Sequence, residues 1–282
     1  MTYQELYKPL ILLYGEGEAK ALVRYLLEEE FGLTLADICS GALDALTDTQ
    51  KEWLQGALNR MTQGEPVQYV LGKAWFCDRL FQVQQGVLIP RPETEELCRW
   101  IIESEAAHEG SSLHVLDLCT GSGCIAITLA LSIRNAQVSA CDISPVALKV
   151  AAANAQRLHA DVAVESRDVL QQVAEVQPRW HLMVSNPPYV CDSERAGMHR
   201  NVLDYEPAEA LFVPDDNPLL FYRSICLNAL HELLPGGWLY LEINPLFAGQ
   251  MQQMLFSLHF DEVEVREDSY GRQRFVRARK GL

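Results

Sequence analysis

The chain has 282 residues, of which 49% are hydrophobic, enough for one large domain or two modest domains with a substantial core. Lys and Arg together number 23 against 38 Asp and Glu, so the formal net charge is −15. Because such a surface repels a phosphate backbone, the composition argues against duplex nucleic-acid binding, although net charge leaves room for a local basic patch.

The first sixty-odd residues carry helical patterns. Thr2-x-x-Glu5 and Thr47-x-x-Gln50 are capping-box sequences that predict helix starts. Apolar residues recur at helical spacing over residues 19–31 and 53–61, and a glycine follows each stretch. We predict a helical bundle over residues 1–68 that serves substrate recognition, with a plain packing extension as the alternative.

Residues 69–90 are predicted to link this bundle to the rest through a β-hairpin, since aromatic residues flank Asp78-Arg79. From residue 91 to 282, apolar strands alternate with helical stretches, which predicts an α/β domain with a largely parallel sheet covered on both faces. The seven strands are expected at residues 113–118, 138–141, 162–165, 182–184, 238–243, 263–265 and 275–276. One helix is expected to run over residues 219–234 and to end at Pro235-Gly236-Gly237.

Acidic residues end or follow three successive strands: Asp117, Asp142 and Asp168. Because the carboxyl ends of parallel strands converge, we expect the three carboxylates to share one crevice. Asp142 suits the two hydroxyls of a ribose, although it could instead cap the next helix, a role that Ser144 fits better. Asp168 suits the exocyclic amine of adenine, while Val169 would pack on the ring.

The turn after the first strand, Thr120-Gly121-Ser122-Gly123, lets the backbone pass close to a ligand, although an ordinary turn would look similar. It matches neither a dinucleotide-binding G-x-G-x-x-G nor a phosphate-binding loop. An acid before the turn suits a ligand with a cationic, amino-acid-bearing end, such as S-adenosylmethionine. The residues predicted to bind it are Asp117, Cys119, Thr120, Gly121, Ser122, Gly123, Asp142, Asp168, Val169 and Asn186.

An apolar run stops at Asn186-Pro187-Pro188-Tyr189, where two prolines cannot extend a sheet ladder. With these features the chain resembles the seven-stranded class I S-adenosylmethionine-dependent methyltransferases (Rossmann-like). The tetrapeptide is similar to the N-P-P-Y box of the members that methylate adenine, cytosine or a glutamine side-chain amide. A Pro-rich turn is the purely structural alternative.

The chemistry that this resemblance implies is demanding, because the lone pair of an amide nitrogen is delocalised into the carbonyl. The Asn186 side-chain oxygen and the Pro187 carbonyl would accept the two N–H bonds of the target, and Tyr189 would stack on its plane. Catalysis would then consist of positioning and of stabilising positive charge on nitrogen. We expect neither a metal nor a general base with a strongly shifted pKa.

Further stretches resemble protein-glutamine methyltransferases of the translation apparatus, and among these the release-factor glutamine methyltransferases. They are residues 66–72 (PVQYVLG), 88–95 (LIPRPETE), 205–211 (YEPAEAL), 235–237 (PGG) and 268–274 (DSYGRQR). The family modifies the glutamine of the Gly-Gly-Gln loop in class-one peptide chain release factors. The resemblance spans essentially the whole chain and implies a folded protein substrate gripped by the bundle and hairpin. The acidic surface would attract a basic partner.

The resemblance also implies a substrate site of Asn186, Pro187, Pro188, Tyr189, Arg91 and Glu93. Arg91 and Glu93 could instead lock the hairpin to the domain. Cys119, Val169 and Asn244 depart from the family pattern: the first replaces glycine or alanine, the second a frequently aromatic residue, and the third a glycine.

Other functions remain open at this point. The nearest alternative is the related glutamine methyltransferase of a large-subunit ribosomal protein, which shares the turn and the N-P-P-Y box. The net charge argues against a DNA adenine methyltransferase. Intact Asn186 and Asp142 argue against a non-enzymatic binding protein. We expect a monomer with no direct nucleic-acid or membrane partner.

The compartment follows from cysteine usage and apolar runs. None of the eight cysteines forms a C-x-x-C pair or accompanies a histidine cluster, so we interpret them as reduced, small hydrophobic residues rather than zinc ligands. The N-terminal sequence lacks the basic and apolar regions of a signal peptide, and no uncharged apolar run approaches ~18 residues. We expect a cytoplasmic protein.

Overall fold

A computed structural model describes residues 1–105, 112–171 and 177–282. The chain divides into two compact units, one of Met1–Lys73 with Met198–Glu206, the other of Ala74–Gly197 with Pro207–Leu282. Within the described ranges, none of the helices has both the length and the apolar character that crossing a membrane requires. The domain boundaries at 1–68, 69–90 and 91–282 stay a prediction.

The first unit is helical. Its helices are α1 (Tyr3–Tyr7), α2 (Ile11–Phe31), α3 (Leu35–Cys39), α4 (Asp48–Thr62) and α5 (Val67–Leu71). Both predicted capping boxes form, at the starts of α1 and α4. A third, Thr34 with Asp37, starts α3 and was missed, because its third helical residue is Asp rather than Glu or Gln. Gly32 ends α2 in the left-handed conformation, as its position after the apolar stripe predicted.

The rest of the chain alternates strands and helices. The elements in order are β1 (Lys73–Phe76), β2 (Arg79–Gln82), α6 (Pro92–Glu105), β3 (Leu113–Leu118), α7 (Cys124–Ser132), β4 (Ala136–Asp142), α8 (Pro145–Arg157), β5 (Val162–Ser166), β6 (Trp180–Ser185), β7 (Val190–Cys191), α9 (Arg200–Tyr205), β8 (Phe212–Val213), α10 (Leu220–Glu232), β9 (Leu233–Glu242), α11 (Ala248–Ser257), β10 (Phe260–Glu267) and β11 (Gln273–Lys280). Of these, α9 belongs to the first unit, where the Tyr205 hydroxyl donates to the Gln63 carbonyl at 3.1 Å.

Seven strands form the main sheet in the order β10-β11-β9-β6-β3-β4-β5, which confirms the predicted architecture. The strands from β9 to β5 run parallel, while β11 is antiparallel to both of its neighbours. The predicted hairpin forms from β1 paired with β2, and its role as a linker stays a prediction. Cys77 and Asp78 form its two-residue turn with φ of 46° and 58°, the positive values that such tight hairpin turns require.

The segment around Pro235-Gly236-Gly237 corrects one prediction. Helix α10 ends at Glu232, and β9 already begins at Leu233 instead of at residue 238. On β6, Trp180 pairs with Leu233 of β9, and Leu182 pairs with Trp238. One residue of β6 lies between these pairs but four residues of β9 do, so residues 234–237 bulge out of the ladder. Proline lacks an N–H and Gly236 has φ of 77°, so the segment interrupts the strand after it has started.

Two apolar clusters fill the two faces of the sheet. On β3, Leu116 and Leu118 belong to the cluster under α10 and α11, whereas Leu113 and Val115 belong to the cluster under α6 and α7. This alternation follows from the two-residue period of a strand. It also decides which way the side chain of Asp117 points, toward the α6 and α7 face.

Candidate active site

A cavity of about 290 Å³ opens at the carboxyl ends of β3, β4 and β6, where an open parallel sheet holds its ligands. It brings together ten of the residues predicted from the sequence: Arg91, Cys119, Thr120, Gly121, Ser122, Asp142, Asp168, Val169, Asn186 and Pro188. Five others do not line it: Asp117, Gly123, Glu93, Pro187 and Tyr189.

Asp142 is held at the cavity by backbone amides on two sides. Its Oδ2 accepts from the Gly121 N–H at 2.9 Å, and its Oδ1 accepts from the Ser144 N–H at 2.9 Å. Ser144 caps α8 by accepting from the Ala147 N–H, so it takes the capping role and leaves Asp142 on the cavity wall. The carboxylate held in this way is suited to accept hydroxyl groups.

Asp168 and Val169 follow the edge strand β5. The Oδ1 of Asp168 accepts from the Leu170 N–H at 2.9 Å, which fixes the loop. Val169 is buried in the apolar cluster next to α10, and its carbonyl accepts from the Ser224 hydroxyl at 2.6 Å and from Asn228 at 3.0 Å. The aliphatic side chain therefore forms a fixed, apolar part of the cavity wall.

Asp117 lies behind the glycine turn rather than on the cavity wall. It is fully buried, and its Oδ2 accepts from the Thr120 hydroxyl at 2.6 Å and from the Ala126 N–H at 3.2 Å. Among the described residues its Oδ1 has no hydrogen-bond partner. Burial raises the pKa of Asp117 to about 7, and the nearby charge of Asp142 adds to the effect. In this position the carboxyl organises the turn and the start of α7.

The turn itself has positive φ at Cys119 (59°), Gly121 (55°) and Gly123 (81°). Glycine adopts these values at little cost, whereas Cys119 is strained there. Burial raises the pKa of the Cys119 thiol well above its usual value, so the thiol is neutral. Ser122 lines the cavity with a buried hydroxyl that has no partner within the described ranges. Such an orphaned group indicates a place for a polar ligand atom.

Gly123→Ala should destabilise the protein by about 2–4 kcal/mol in urea unfolding, from left-handed strain plus overpacking. A Cβ at this position would lie 3.0 Å from Ile127 Cδ1 and 3.2 Å from the Ala151 backbone. Gly121→Ala is the matched control: it is also left-handed, but no described atom lies within 4 Å of its added Cβ. An equal loss in both variants would contradict the packing argument.

Asn186 belongs to a chain of hydrogen bonds that leads from the cavity wall, where Thr94 also lies, to the buried Glu242. Its Nδ2 donates to the Thr94 hydroxyl oxygen at 3.1 Å, and that hydroxyl donates to Glu242 Oε2 at 2.7 Å. The Tyr189 hydroxyl donates to Glu242 Oε1 at 2.9 Å. Burial raises the pKa of Glu242, which the two hydroxyl donors and Arg274 oppose. The sequence did not predict Thr94 and Glu242 as site residues, although Thr94 lies within residues 88–95 (LIPRPETE), a stretch that resembles the family.

Other contributors were also missed. Two further groups line the cavity: residues 88–90, and Pro207 with Glu209 and Ala210. Both groups lie in stretches that were identified only by their resemblance to the family. Asn154 on α8 is fully buried, where its Nδ2 donates to the Ser122 carbonyl at 2.9 Å and to the Gln82 carbonyl at 3.0 Å. It ties the glycine turn to the hairpin, which no local pattern could have indicated.

Arg91 and Glu93 lie in different positions relative to the cavity. Arg91 lies on the cavity wall, while Glu93 stands in the first turn of α6 and off that wall. Among the described residues, no group of three or more His, Cys, Asp or Glu side chains could hold a metal ion. The expectation that no metal takes part stays a prediction.

Asn244 needs no glycine-like backbone, since its φ is −70°. Its Nδ2 donates to the Tyr189 carbonyl at 3.1 Å and to Glu194 at 2.8 Å, and its Oδ1 accepts from the Leu246 N–H at 3.0 Å. The departure from the family pattern therefore adds contacts to the loop that follows Asn186 instead of straining it.

The chain is similar to several known proteins. A family model described as "Methyltransferase small domain" matches residues 102–204, and one described as "PrmC N-terminal domain" matches residues 13–72. A release factor glutamine methyltransferase of Bacteroides thetaiotaomicron is 39% identical over 95% of each chain. One of Flavobacterium psychrophilum is 36% identical over 95% of this chain and 94% of its own. A crystal structure of a methyltransferase from Pyrococcus furiosus, 16% identical, covers 72% of this chain and 89% of its own with a TM-score of 0.50, which supports the fold alone.

Proposed function

Because the chain belongs to the release factor glutamine methyltransferase family, we propose that it methylates the side-chain amide nitrogen of a glutamine in class-one peptide chain release factors. The glutamine is the one in the Gly-Gly-Gln motif, and the methyl donor is S-adenosylmethionine. The observation that carries the proposal is that one cavity is lined by both Asp142 and Asn186. A carboxylate suited to a nucleoside and an amide suited to a carboxamide thus share one space.

The residues present fit the methyl donor. Asp142 would accept the ribose hydroxyls, Asp168 the adenine amine, and Val169 would pack on the ring. The buried hydroxyl of Ser122, without a partner among the described residues, would bond the polar amino-acid end. When bound, S-adenosylmethionine supplies an electrophilic methyl group on a sulfonium.

The chain's own residues position the acceptor. We assign to Asn186 Oδ1 and the Pro187 carbonyl the role of accepting the two N–H bonds of the substrate amide, which orients its nitrogen lone pair. These dipoles also stabilise the positive charge that develops on nitrogen. The Tyr189 hydroxyl bonds Glu242, so this residue holds the loop, and stacking of its ring on the acceptor stays a prediction.

The substrate is a folded protein, and the first unit is the proposed docking module. The match of its residues 13–72 to a family-specific N-terminal model supports that role. Arg91, on the cavity wall, is placed to contact the acceptor segment, whereas Glu93 is proposed to act near the entrance. A monomeric state and the absence of nucleic-acid contact stay predictions, as does the cytoplasmic location.

A labelling experiment tests the function. The protein is incubated with methyl-labelled S-adenosylmethionine and, separately, with a class-one release factor, a large-subunit ribosomal protein preparation and duplex DNA. We expect label on the release factor alone, and none when its Gly-Gly-Gln glutamine is replaced by alanine. Label on the ribosomal protein or the DNA instead would overturn the assignment in favour of the corresponding alternative.

A further inference from the structure

The two ends of the Asn186–Tyr189 stretch are joined through one buried carboxylate. Asn186 reaches Glu242 through the Thr94 hydroxyl, and Tyr189 reaches the other oxygen of Glu242 directly. Glu242 is 1% exposed and Thr94 is 2% exposed, so water does not compete for these bonds. The network links three separate parts of the second unit: α6, the loop after β6, and the end of β9.

The direction of each hydrogen bond in this network is determined by the carboxylate. While Glu242 is ionised its oxygens only accept, so both hydroxyls, each with one hydrogen, donate to it, in agreement with the contacts from Thr94 and Tyr189. The Thr94 oxygen then has only lone pairs to offer to Asn186. The side-chain amide of Asn186 must therefore turn its NH₂ group toward Thr94, in agreement with the observed contact.

This orientation matters because an asparagine amide has two nearly isosteric orientations that present opposite groups to a ligand. With the NH₂ held by Thr94, the oxygen is the end available to an acceptor amide. In the flipped orientation an N–H would face the N–H of the substrate, and the acceptor that the reaction needs would be lost.

Building on the proposed function, we propose that Thr94 and Glu242 are positioning residues that fix the orientation of the Asn186 amide. Glu242 orders the Thr94 hydroxyl, and Thr94 in turn holds the amide so that its oxygen accepts from the substrate glutamine. Neither residue carries out the methyl transfer. Their effect reaches the reaction through the direction of the hydrogen bonds that Asn186 offers.

The test compares three threonine variants. Thr94→Val removes the hydroxyl and keeps the shape, while Thr94→Ser keeps the hydroxyl. Thr128→Val is the matched control, since Thr128 on α7 is 1% exposed and its hydroxyl has no partner within the described ranges. For each we measure kcat and KM toward the release factor, the Kd of S-adenosylmethionine by calorimetry, and the melting temperature.

We expect Thr94→Val to lower kcat by about 10- to 100-fold, the range found for groups that orient reacting side chains in metal sites, with KM and Kd changed less than about threefold. Thr94→Ser should restore kcat to within about threefold of the wild type, and Thr128→Val should leave it unchanged. A purely structural role would instead lower the melting temperature and weaken ligand binding along with kcat. Unchanged kcat in Thr94→Val would overturn the proposal.

A spectroscopic measurement decides the proposal independently of activity. The side-chain N–H signals of Asn186 are assigned by their absence from the ¹H–¹⁵N spectrum of Asn186→Ala. One of them should exchange slowly with solvent in the wild type and in Thr94→Ser, and at least about tenfold faster in Thr94→Val. If the wild type methylates none of the acceptors, the proposed function fails, and this exchange comparison alone still supports or overturns the positioning role.

Discussion

Replacement of Asn186 by alanine is expected to lower kcat for release-factor methylation by about 100- to 1,000-fold, the usual loss when one preorganised polar group at a reacting centre is removed. The alanine cannot accept an N–H of the substrate amide, so its nitrogen is neither oriented nor stabilised as it gains positive charge. Single-turnover kinetics with saturating release factor and methyl donor measure the effect, because product release then does not limit the rate.

The fold and the cofactor cavity should survive this change. Asn186 is half-buried and its side chain is bonded to Thr94, so the melting temperature should fall only slightly. The affinity for S-adenosylmethionine should change less than about tenfold, since Asp142 and the glycine turn are intact. A variant that binds the methyl donor and turns over at the wild-type rate would remove Asn186 from the mechanism.

The stability of the protein should fall between pH 5 and pH 8 because of Asp117, by about 2–3 kcal/mol relative to Asp117→Asn. The carboxyl has an ordinary pKa of 3.8 and a folded pKa of about 7, raised mainly by burial. The folded protein therefore holds this proton more tightly than the unfolded chain does. Its contribution to stability is fully present below pH 3.8 and is lost as the pH rises through about 7.

Urea unfolding at pH 5, 6, 7 and 8 measures this effect in both proteins. Other groups that titrate in this range are common to both proteins and cancel in the difference. Parallel stability curves for the two proteins would show that Asp117 keeps an ordinary pKa in the folded state. If the asparagine variant does not fold, the carboxyl ¹³C shift of Asp117 in the wild type reports the same pKa directly.

Strand patterns made the main sheet predictable, and the wrong boundary between α10 and β9 has a physical cause. Apolar runs such as Leu113–Leu118 are buried on both faces of a parallel sheet and stand out in any sequence. The sequence Pro235-Gly236-Gly237 is equally compatible with the end of a helix and with a bulge in a strand. Which of the two forms depends on whether Leu233 pairs with Trp180. These residues are distant in sequence, so no local pattern reveals the pairing.

The site was predictable where local chemistry defines it. Asp142 and the turn with Gly121 follow strands whose ends must converge, and both line the cavity. The orientation of Asp117 could also have been anticipated, because it shares strand parity with Val115 rather than with Leu116. In contrast, nothing local links Thr94 to Glu242, which are distant in sequence and meet only in the folded chain.

The two-piece composition of the first unit limits what truncation can achieve. Met198–Glu206 groups with residues 1–73, yet in the chain it lies between Tyr189 and the cavity-lining Pro207. A shortened protein starting at Ala74 would keep residues 198–206 but lose the N-terminal helices. The Tyr205 hydroxyl would then lose the Gln63 carbonyl to which it donates. Cuts or deletions in the N-terminal helices would therefore remove the partners of residues 198–206, a segment that the peptide chain joins directly to the cavity-lining Pro207.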